Sequence, residues 1–507
     1  MQTVEYLLQG FAIALTWKNL FFCAVGCLWG TIVGVLPGVG PLAGMALLLP
    51  LTYKLDPTGA IIMLAGIFYG AMYGGSTTSI LMRMPGEAAS VITCIDGYEM
   101  ARKGRAGPAL FLAGAGSFVG GTLSVLGLML FAPVLADAML RVGPAAEFIL
   151  MVFALLVVSF VAVGSRLKVV AMIVVGLLLA TIGIDSLTAW SRFTFGALEL
   201  SNGLNFVALS IGLFGVSEIL LSFEESLKVK PIKPTLRQLL PSKEELRQSR
   251  WPIARGSLIG FVFGIFPGVS HIVSTFVSYA VEKRLSKNPE EFGHGAVAGV
   301  AGPETANNAT TGSSLIPLLV LGIPAIPSTA ILLSAFLIHG VQPGPQLITE
   351  HPEVFWGLIA SMYIGNLILV ALNVPLVGIF VNLLRIPFGY LAPIILLISI
   401  IGVYSVNSNI VDVWIMLGAG VVGYLLRKFR YDVAPLLLAL VLGDRIESNF
   451  RRALTISDGD YSIFIQGPAA RVFICALALV LILQGVAMAA GYGKRAALRA
   501  PADDGKS

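Results

Sequence analysis

Gly30–Pro41 reads GTIVGVLPGVGP, and Gly260–His271 reads GFVFGIFPGVSH. The two stretches start 230 positions apart (260 − 30) and share the pattern GxxxGxxPG inside otherwise apolar runs. Proline removes a backbone donor and clashes with the preceding turn, so a Pro-Gly pair ends a helix. In hydrocarbon the freed backbone groups persist only where protein or a polar cavity satisfies them. Such breaks, at corresponding places in two halves of an apolar chain, point to a transport site. For either copy alone the plainer reading is close helix packing, because Gly and Pro are frequent in membrane helices.

Composition places the chain in lipid. Of its 507 residues 56% are hydrophobic and 12% charged, against roughly 25% charged in soluble domains. Apolar windows near the bilayer-crossing length of about 20 residues lie at 148–164, 169–184, 204–223, 355–384, 387–403, 411–426 and 472–490. With the Gly- and Pro-interrupted tracts, roughly ten to twelve spans are expected. The first cation is Lys18, beyond the first apolar stretch, so no cleaved signal peptide is expected. Cys23, Cys27, Cys94 and Cys475 fit neither a disulfide framework nor a metal-ligand spacing. The net charge of +5 sits in short segments between spans, the positive-inside pattern of a bilayer protein rather than a nucleic-acid surface.

Residues 223–252 hold Lys228, Lys230, Lys233, Arg237, Lys243, Arg247 and Arg250. They read as a charged cytoplasmic linker, with a short amphipathic helix near 242–248, between transmembrane segments 1–222 and 253–490. A polar tail follows at 491–507. The halves match further: Tyr73–Thr78 aligns with Ala306–Thr311, Met84–Gly86 with Ile323–Ala325, and Gly107–Pro108 with Gly344–Pro345. The expected fold is an all-α polytopic membrane protein built from two homologous repeats with discontinuous, re-entrant hairpins. The repeats are taken as inverted, which the parity of spans per half decides.

Chemistry follows from the breaks. Free amides at the start of a half-helix, with the positive end of its dipole, suit a carboxylate. Downstream of each break lies a polar cluster: Ser76, Thr77 and Thr78 in the first half, and Glu304, Asn307, Asn308, Thr310 and Thr311 in the second. Such groups are costly in hydrocarbon unless they line a cavity or bond across helices. Their oxygens, near Thr77, Thr78, Asn308 and Thr310, are candidates for a Na⁺ site. Taken singly, each Ser or Thr reads equally as an interhelical hydrogen bond.

Charged residues near the breaks have two readings each. Arg83 either counters a substrate carboxylate or snorkels to an interface beside Glu87. His271, at the second break, either carries a proton or stays neutral and hydrogen-bonded. Glu304 is a candidate for charge compensation or coupling. The chain has no zinc-protease HExxH and no phosphate-cradling GxxxxGK[ST], so no enzymatic signature of those kinds is present.

At these motifs the sequence resembles the large membrane subunit of the bacterial tripartite tricarboxylate transporters. The matching stretches are GVLPGVGP (34–41), YGGSTTSIL (73–81), MPGE (84–87), DGYEMARKGRAGPAL (96–110), GIFPG (264–268), PETANNA (303–309), LGIP (321–324) and GVQPGP (340–345). The resemblance implies a secondary transporter in the bacterial inner membrane, taking up di- or tricarboxylates with Na⁺ or H⁺ and needing no other cofactor. It also implies two partners, a periplasmic solute-binding protein and a small membrane subunit of about four spans. It carries substrate contacts to Gly38, Val39, Gly40, Ser76, Thr77, Thr78, Gly268, Asn307, Asn308, Ala309 and Thr310. Ser270–His271 and Arg83 depart from the family pattern. An intramembrane enzyme, resting on the 304–311 cluster, and a passive anion channel are the competing classes.

Overall fold

The computed structural model describes residues 2–36, 40–161, 165–185, 188–224, 239–267, 271–383, 388–476, 478–479 and 482. Expectations that fall on Gly38, Val39 and Gly268, on linker residues 225–238 and on the tail lie outside these residues.

Helix α1 (Gln2–Ala14) precedes α2 (Trp17–Val35), which stops at the first Pro-Gly pair. Helix α3 (Gly40–Leu48) follows and runs into a tighter turn at Leu49–Lys54. Then comes α4 (Pro57–Met82), and, after an irregular stretch with one short turn at Ala88–Val91, α5 (Thr93–Met100). A widened turn, Ala101–Arg105, joins α5 to α6 (Ala106–Met139). Helices α7 (Pro144–Val161) and α8 (Arg166–Ala180) lead to a small hairpin of Gly183–Ile184 with Ser191–Arg192. Helices α9 (Phe206–Ser210) and α10 (Ser217–Glu224) close the first half.

After the linker come α11 (Lys243–Ile265), stopped by the second Pro-Gly pair, α12 (His271–Leu285) and α13 (Ala298–Ser313). A widened turn at Pro317–Leu321 precedes α14 (Pro327–Ile338), α15 (Leu347–Glu350) and α16 (Pro352–Asn373). The chain continues through α17 (Val377–Leu383), α18 (Phe388–Asn407), α19 (Ile410–Lys428), α20 (Ala434–Ile456) and α21 (Ile463–Gln466). This is an all-α polytopic membrane fold: among the described residues five helices are long and apolar enough to cross a bilayer, and shorter apolar helices accompany them.

Local chemistry sets the boundaries. Asp56 accepts from Gly59 N at 3.0 Å, and Pro57 occupies the first position of α4, where its missing donor costs nothing. Ser242 and Glu245 form a reciprocal capping box, which starts α11. The short amphipathic helix expected near 242–248 is therefore the opening of a 23-residue helix.

The helices on either side of each Pro-Gly stretch form hairpins. Lys18 at the start of α2 forms an ion pair with Asp56 at the start of α4, so the chain enters along α2, turns at the break and returns through α3 to the side it came from. In the second half Arg255 of α11 holds Glu282 of α12, with Nε–Oε1 at 2.7 Å and an Nη–Oε2 contact at 2.5 Å. Helices α11 and α12 therefore form another there-and-back pair.

The hairpins enter from opposite ends. Ser76, near the end of α4, meets Glu304 in the first half of α13. Phe68, two turns earlier on α4, meets His271, which bonds Thr311 two turns later on α13. Helices α4 and α13 thus cross antiparallel, each beside its own hairpin.

Both hairpins rest on glycine ladders. A Cβ on Gly26, Gly30 or Gly34 would stand 2.2–2.3 Å from the carbonyl oxygens of Met63, Ile67 and Ala71. A Cβ on Gly256 or Gly260 would stand 2.4 and 2.3 Å from those of Gly302 and Ala306, and one on Gly264 2.7 Å from that of Thr310. The partner positions are separated by a constant 239 residues (302 − 63, 306 − 67, 310 − 71). The same separation links Arg83 and Gly322, both left-handed at φ +58 and +66. It also links Glu87 and Ile326, whose φ/ψ are −146/165 and −145/164. The spatial register therefore differs from the sequence alignment of Tyr73–Thr78 with Ala306–Thr311, which is six positions shorter (239 − 233).

Every residue of α4 from Thr58 to Met82 is buried, so this helix is the hub of the bundle rather than a lipid-facing span. Its Phe68, with Phe336 of α14 and Phe355 of α16, belongs to the main apolar core.

Candidate functional site at the crossing of two polar helices

The crossing of α4 and α13 carries a dry polar layer. Glu304 is 1% exposed; its Oε2 accepts from Ser76 Oγ at 2.5 Å, and its Oε1 accepts from Thr93 Oγ1. One turn on, Asn307 Nδ2 donates to Glu87 Oε1 at 3.0 Å. Glu87 Oε2 also accepts from Ala89 N at 2.6 Å, at the first turn after the end of α4. Asn307 Oδ1 is buried without a partner.

Next along α13, Asn308 Nδ2 donates to Ser117 Oγ of α6 at 2.7 Å. Thr311 Oγ1 lies 3.1 Å from His271 Nε2 and donates to Asn307 O. From the other side Tyr73 OH donates to Asn366 Oδ1 of α16 at 2.7 Å, and Asn366 Nδ2 reaches Phe118 O and Thr122 Oγ1.

A narrow cavity opens among these groups. It has a volume of about 10 Å³ and is lined by Tyr69, Gly121, Asn308, Thr311, Met362 and Asn366, among others. That is about the space of one water molecule, so the site is closed in this conformation. Tyr69 OH, which lines it, is buried without a partner. A larger cleft of about 320 Å³ lies between α7, α8 and α20. It is lined mostly by apolar side chains such as Phe148, Leu177 and Phe450, and a charged solute would find few donors there.

The structure sorts the candidates named from sequence. Ser76, Asn307, Asn308 and Glu304 meet at the crossing, and His271 joins them through Thr311. Thr78 instead donates to Val35 O at 2.6 Å, closing the first hairpin near its break. Thr310 contacts Ser274 Oγ at 2.8 Å and donates to Gly260 O at 3.1 Å, serving the second hairpin. Ala309 packs against the Gly260 position. Thr77 is buried in α4. Gly40 begins α3 with a left-handed φ of +62 and open space around its missing side chain. The hydrogen bonds of Thr78, Asn308 and Thr310 thus run to α2, to α6 and to the α11–α12 hairpin respectively.

Arg83 is exposed at the end of α4. Its guanidinium lies 5.7 Å from the centre of the Tyr98 ring, while Glu87 turns inward to Asn307. The two form no ion pair, and the left-handed backbone of Arg83 ends α4 and redirects the chain between them. Asp185 and Asp412 are buried as well; Asp185 pairs with Arg451, and Asp412 accepts from Asn205.

Sequence reasoning passed over Tyr69, Tyr73, Thr93, Ser117 and Asn366. Asn366 had a signal, since it is one of three amides, with Asn373 and Asn382, in the apolar run 355–384, and an amide in hydrocarbon needs a partner.

A model of the tripartite tricarboxylate transporter TctA family matches residues 20–438. The chain belongs to that family. It is also 50% identical over 483 residues, 95% of this chain and 96% of the other, to an Agrobacterium vitis protein described as "Uncharacterized 52.8 kDa protein in TAR-I ttuC' 3'region". A second Agrobacterium vitis protein, from the TAR-II ttuC' 3'region, is 52% identical over 211 residues, covering 42% of this chain and 87% of its own. No solved structure matches the chain. Membership makes this TctA-family chain a membrane component of a transporter that works with further subunits.

Proposed function

We propose that the chain is the permease of a secondary active transporter for di- and tricarboxylate anions, driven by Na⁺ or H⁺ in the bacterial inner membrane. A periplasmic solute-binding protein delivers the anion, and a small membrane subunit of about four spans completes the complex. Residues 1–222 and 253–490 are read as two inverted, homologous halves, with 223–252 as a cytoplasmic linker and 491–507 as a tail. The constant 239-residue separation and the opposed hairpins support that reading.

The observation that carries the function is the convergence of amide and hydroxyl groups on a narrow cavity within the buried polar layer. Asn308, Thr311, Asn366 and Tyr69 offer donors that can be satisfied by carboxylate oxygens once the cavity opens. The family resemblance adds Gly38, Val39 and Gly268, which lie outside the described residues, to the candidate substrate contacts. Alternating access then moves one hairpin-bearing unit against the other around a fixed site.

Uptake of a radiolabelled panel of di- and tricarboxylates, with uncharged analogues alongside, tests the reading in cells carrying the whole transporter. Saturable, gradient-dependent uptake of the carboxylates is expected. Uptake confined to uncharged compounds, flux at channel rates without a gradient, or chemical conversion of the solute would overturn it.

A further inference from the structure

Two glutamates sit in the polar layer without a cation. Glu304 is held by two hydroxyls, from Ser76 and Thr93, and Glu87 by the Ala89 amide and Asn307 Nδ2. No ion pair engages either carboxylate among the described residues. The other acidic residues nearby are compensated. Asp96 accepts from the amides of Gly293, Gly295 and Ala296 and from Tyr279 OH. Glu282 of α12 holds Arg255.

The remaining titratable groups facing the pair are few. Helix α5 contributes Cys94. Helix α12 contributes His271, which is engaged with Thr311. Helix α4 presents Ser76, α6 presents Ser117, and Arg83 is turned to Tyr98. None of these donates a positive charge to the pair.

The fold does not need these carboxylates. At the start of α14 Ile326 adopts the same backbone angles as Glu87, and Thr329 makes the same local bonds to its backbone that Ser90 makes to that of Glu87. The turn therefore forms equally well around isoleucine. The position 239 residues before Glu304 is Ala65, fully buried. A second observation points to an absent ligand, for Asn307 Oδ1 is an unpartnered acceptor on the same amide that touches Glu87. Protonating Glu87 would turn an acceptor into a donor beside that amide, and an amide flip would then satisfy Oδ1.

We propose that Glu87 and Glu304, bridged through Asn307 and α13, are the proton-binding pair that couples carboxylate uptake to H⁺. This rests on the transport reading above. The cavity residue Asn308 follows Glu304 by one helical turn and bonds its backbone oxygen. An anion arriving there meets two negative charges unless both glutamates have taken up a proton. Mutual repulsion thus links proton binding to anion binding without any direct contact, and the linkage is reciprocal. Each carboxylate takes one H⁺ from the outer face, becomes neutral, and releases it inward after the substrate leaves.

The test uses proteoliposomes holding the complete transporter with its binding protein, at clamped membrane potential. Labelled citrate and tartrate serve as substrate probes, and an internal pH dye reads protons. Wild type is expected to acidify the lumen in step with substrate entry, in the absence of Na⁺. In Glu304→Gln or Glu87→Gln, protons moved per substrate drop roughly twofold, and in the double variant they approach zero. A structural role would lower both fluxes together and leave that ratio unchanged, which overturns the proposal. Substrate entry that requires Na⁺ and moves no protons in wild type also overturns it, while leaving the transport reading intact. Absence of carboxylate entry under every gradient overturns both.

Discussion

The two hairpins solve the same packing problem with different chemistry. In the first, the return helix α3 is GPLAGMALL, without a hydroxyl or charge, and its outer end is tied by the solvent-facing pair Lys18–Asp56. In the second, α12 buries His271, Ser274, Thr275, Ser278 and Glu282, and its outer end is clamped by a bidentate pair whose carboxylate is 2% exposed. Both lie on matching glycine ladders. The shared ladder fixes the shape, and the unshared side chains fix what each half does. An apolar hairpin beside a polar one makes a site whose polarity comes mostly from α12, α13 and the break that holds Glu87.

Substitutions sharpen that contrast, and unfolding can be followed by maleimide labelling of the buried Cys23, Cys27 and Cys94. The largest loss is expected from Glu282→Ala, about 3 kcal/mol, because Arg255 is left without its carboxylate while still partly buried. Next come Gly30→Ala and Gly260→Ala, about 2 kcal/mol each, since the new Cβ meets a helix backbone and not a flexible side chain. Equal losses at the two sites are the expected result, and a much smaller loss at one would break the ladder equivalence. Asp56→Ala is expected to cost about 1 kcal/mol, chiefly through the lost cap, because an exposed ion pair adds little. The smallest effect is a gain. Arg83→Gly should stabilise by about 1 kcal/mol, the strain of a left-handed backbone at a residue with a Cβ.

Much of this was legible in the sequence. The Pro-Gly pairs mark both hairpin ends, and the clusters at 73–79 and 303–314 mark the two crossing helices, because polar density in an apolar chain has few other uses. The register between the halves was legible only in part: Met84–Gly86 and Ile323–Ala325 stand at the 239-residue separation (323 − 84), but the polar clusters do not. Matching Gly, Ser and Thr by type drew YGGSTT onto ANNATT, whereas backbone contact sets the register through Met63, Ile67 and Ala71, large and small residues alike. Asn366 and Ser117 come from helices far along the chain, so their place in the site depends on tertiary packing. Glu87 was visible beside Arg83 but its turn toward Asn307 was not, because the left-handed backbone that redirects the chain at Arg83 has no mark in the sequence.

The central claim is that carboxylate is held at the α4–α13 crossing. Its most direct test is the concentration dependence of labelled citrate and tartrate uptake by the complete transporter, comparing wild type with Asn308→Ala. Asn308 donates at the cavity edge, and loss of one hydrogen bond to a charged ligand corresponds to about a 10- to 100-fold weaker half-saturation. That shift, with unchanged protein level in the membrane, is the predicted result. Half-saturation and maximal rate both equal to wild type would contradict the account.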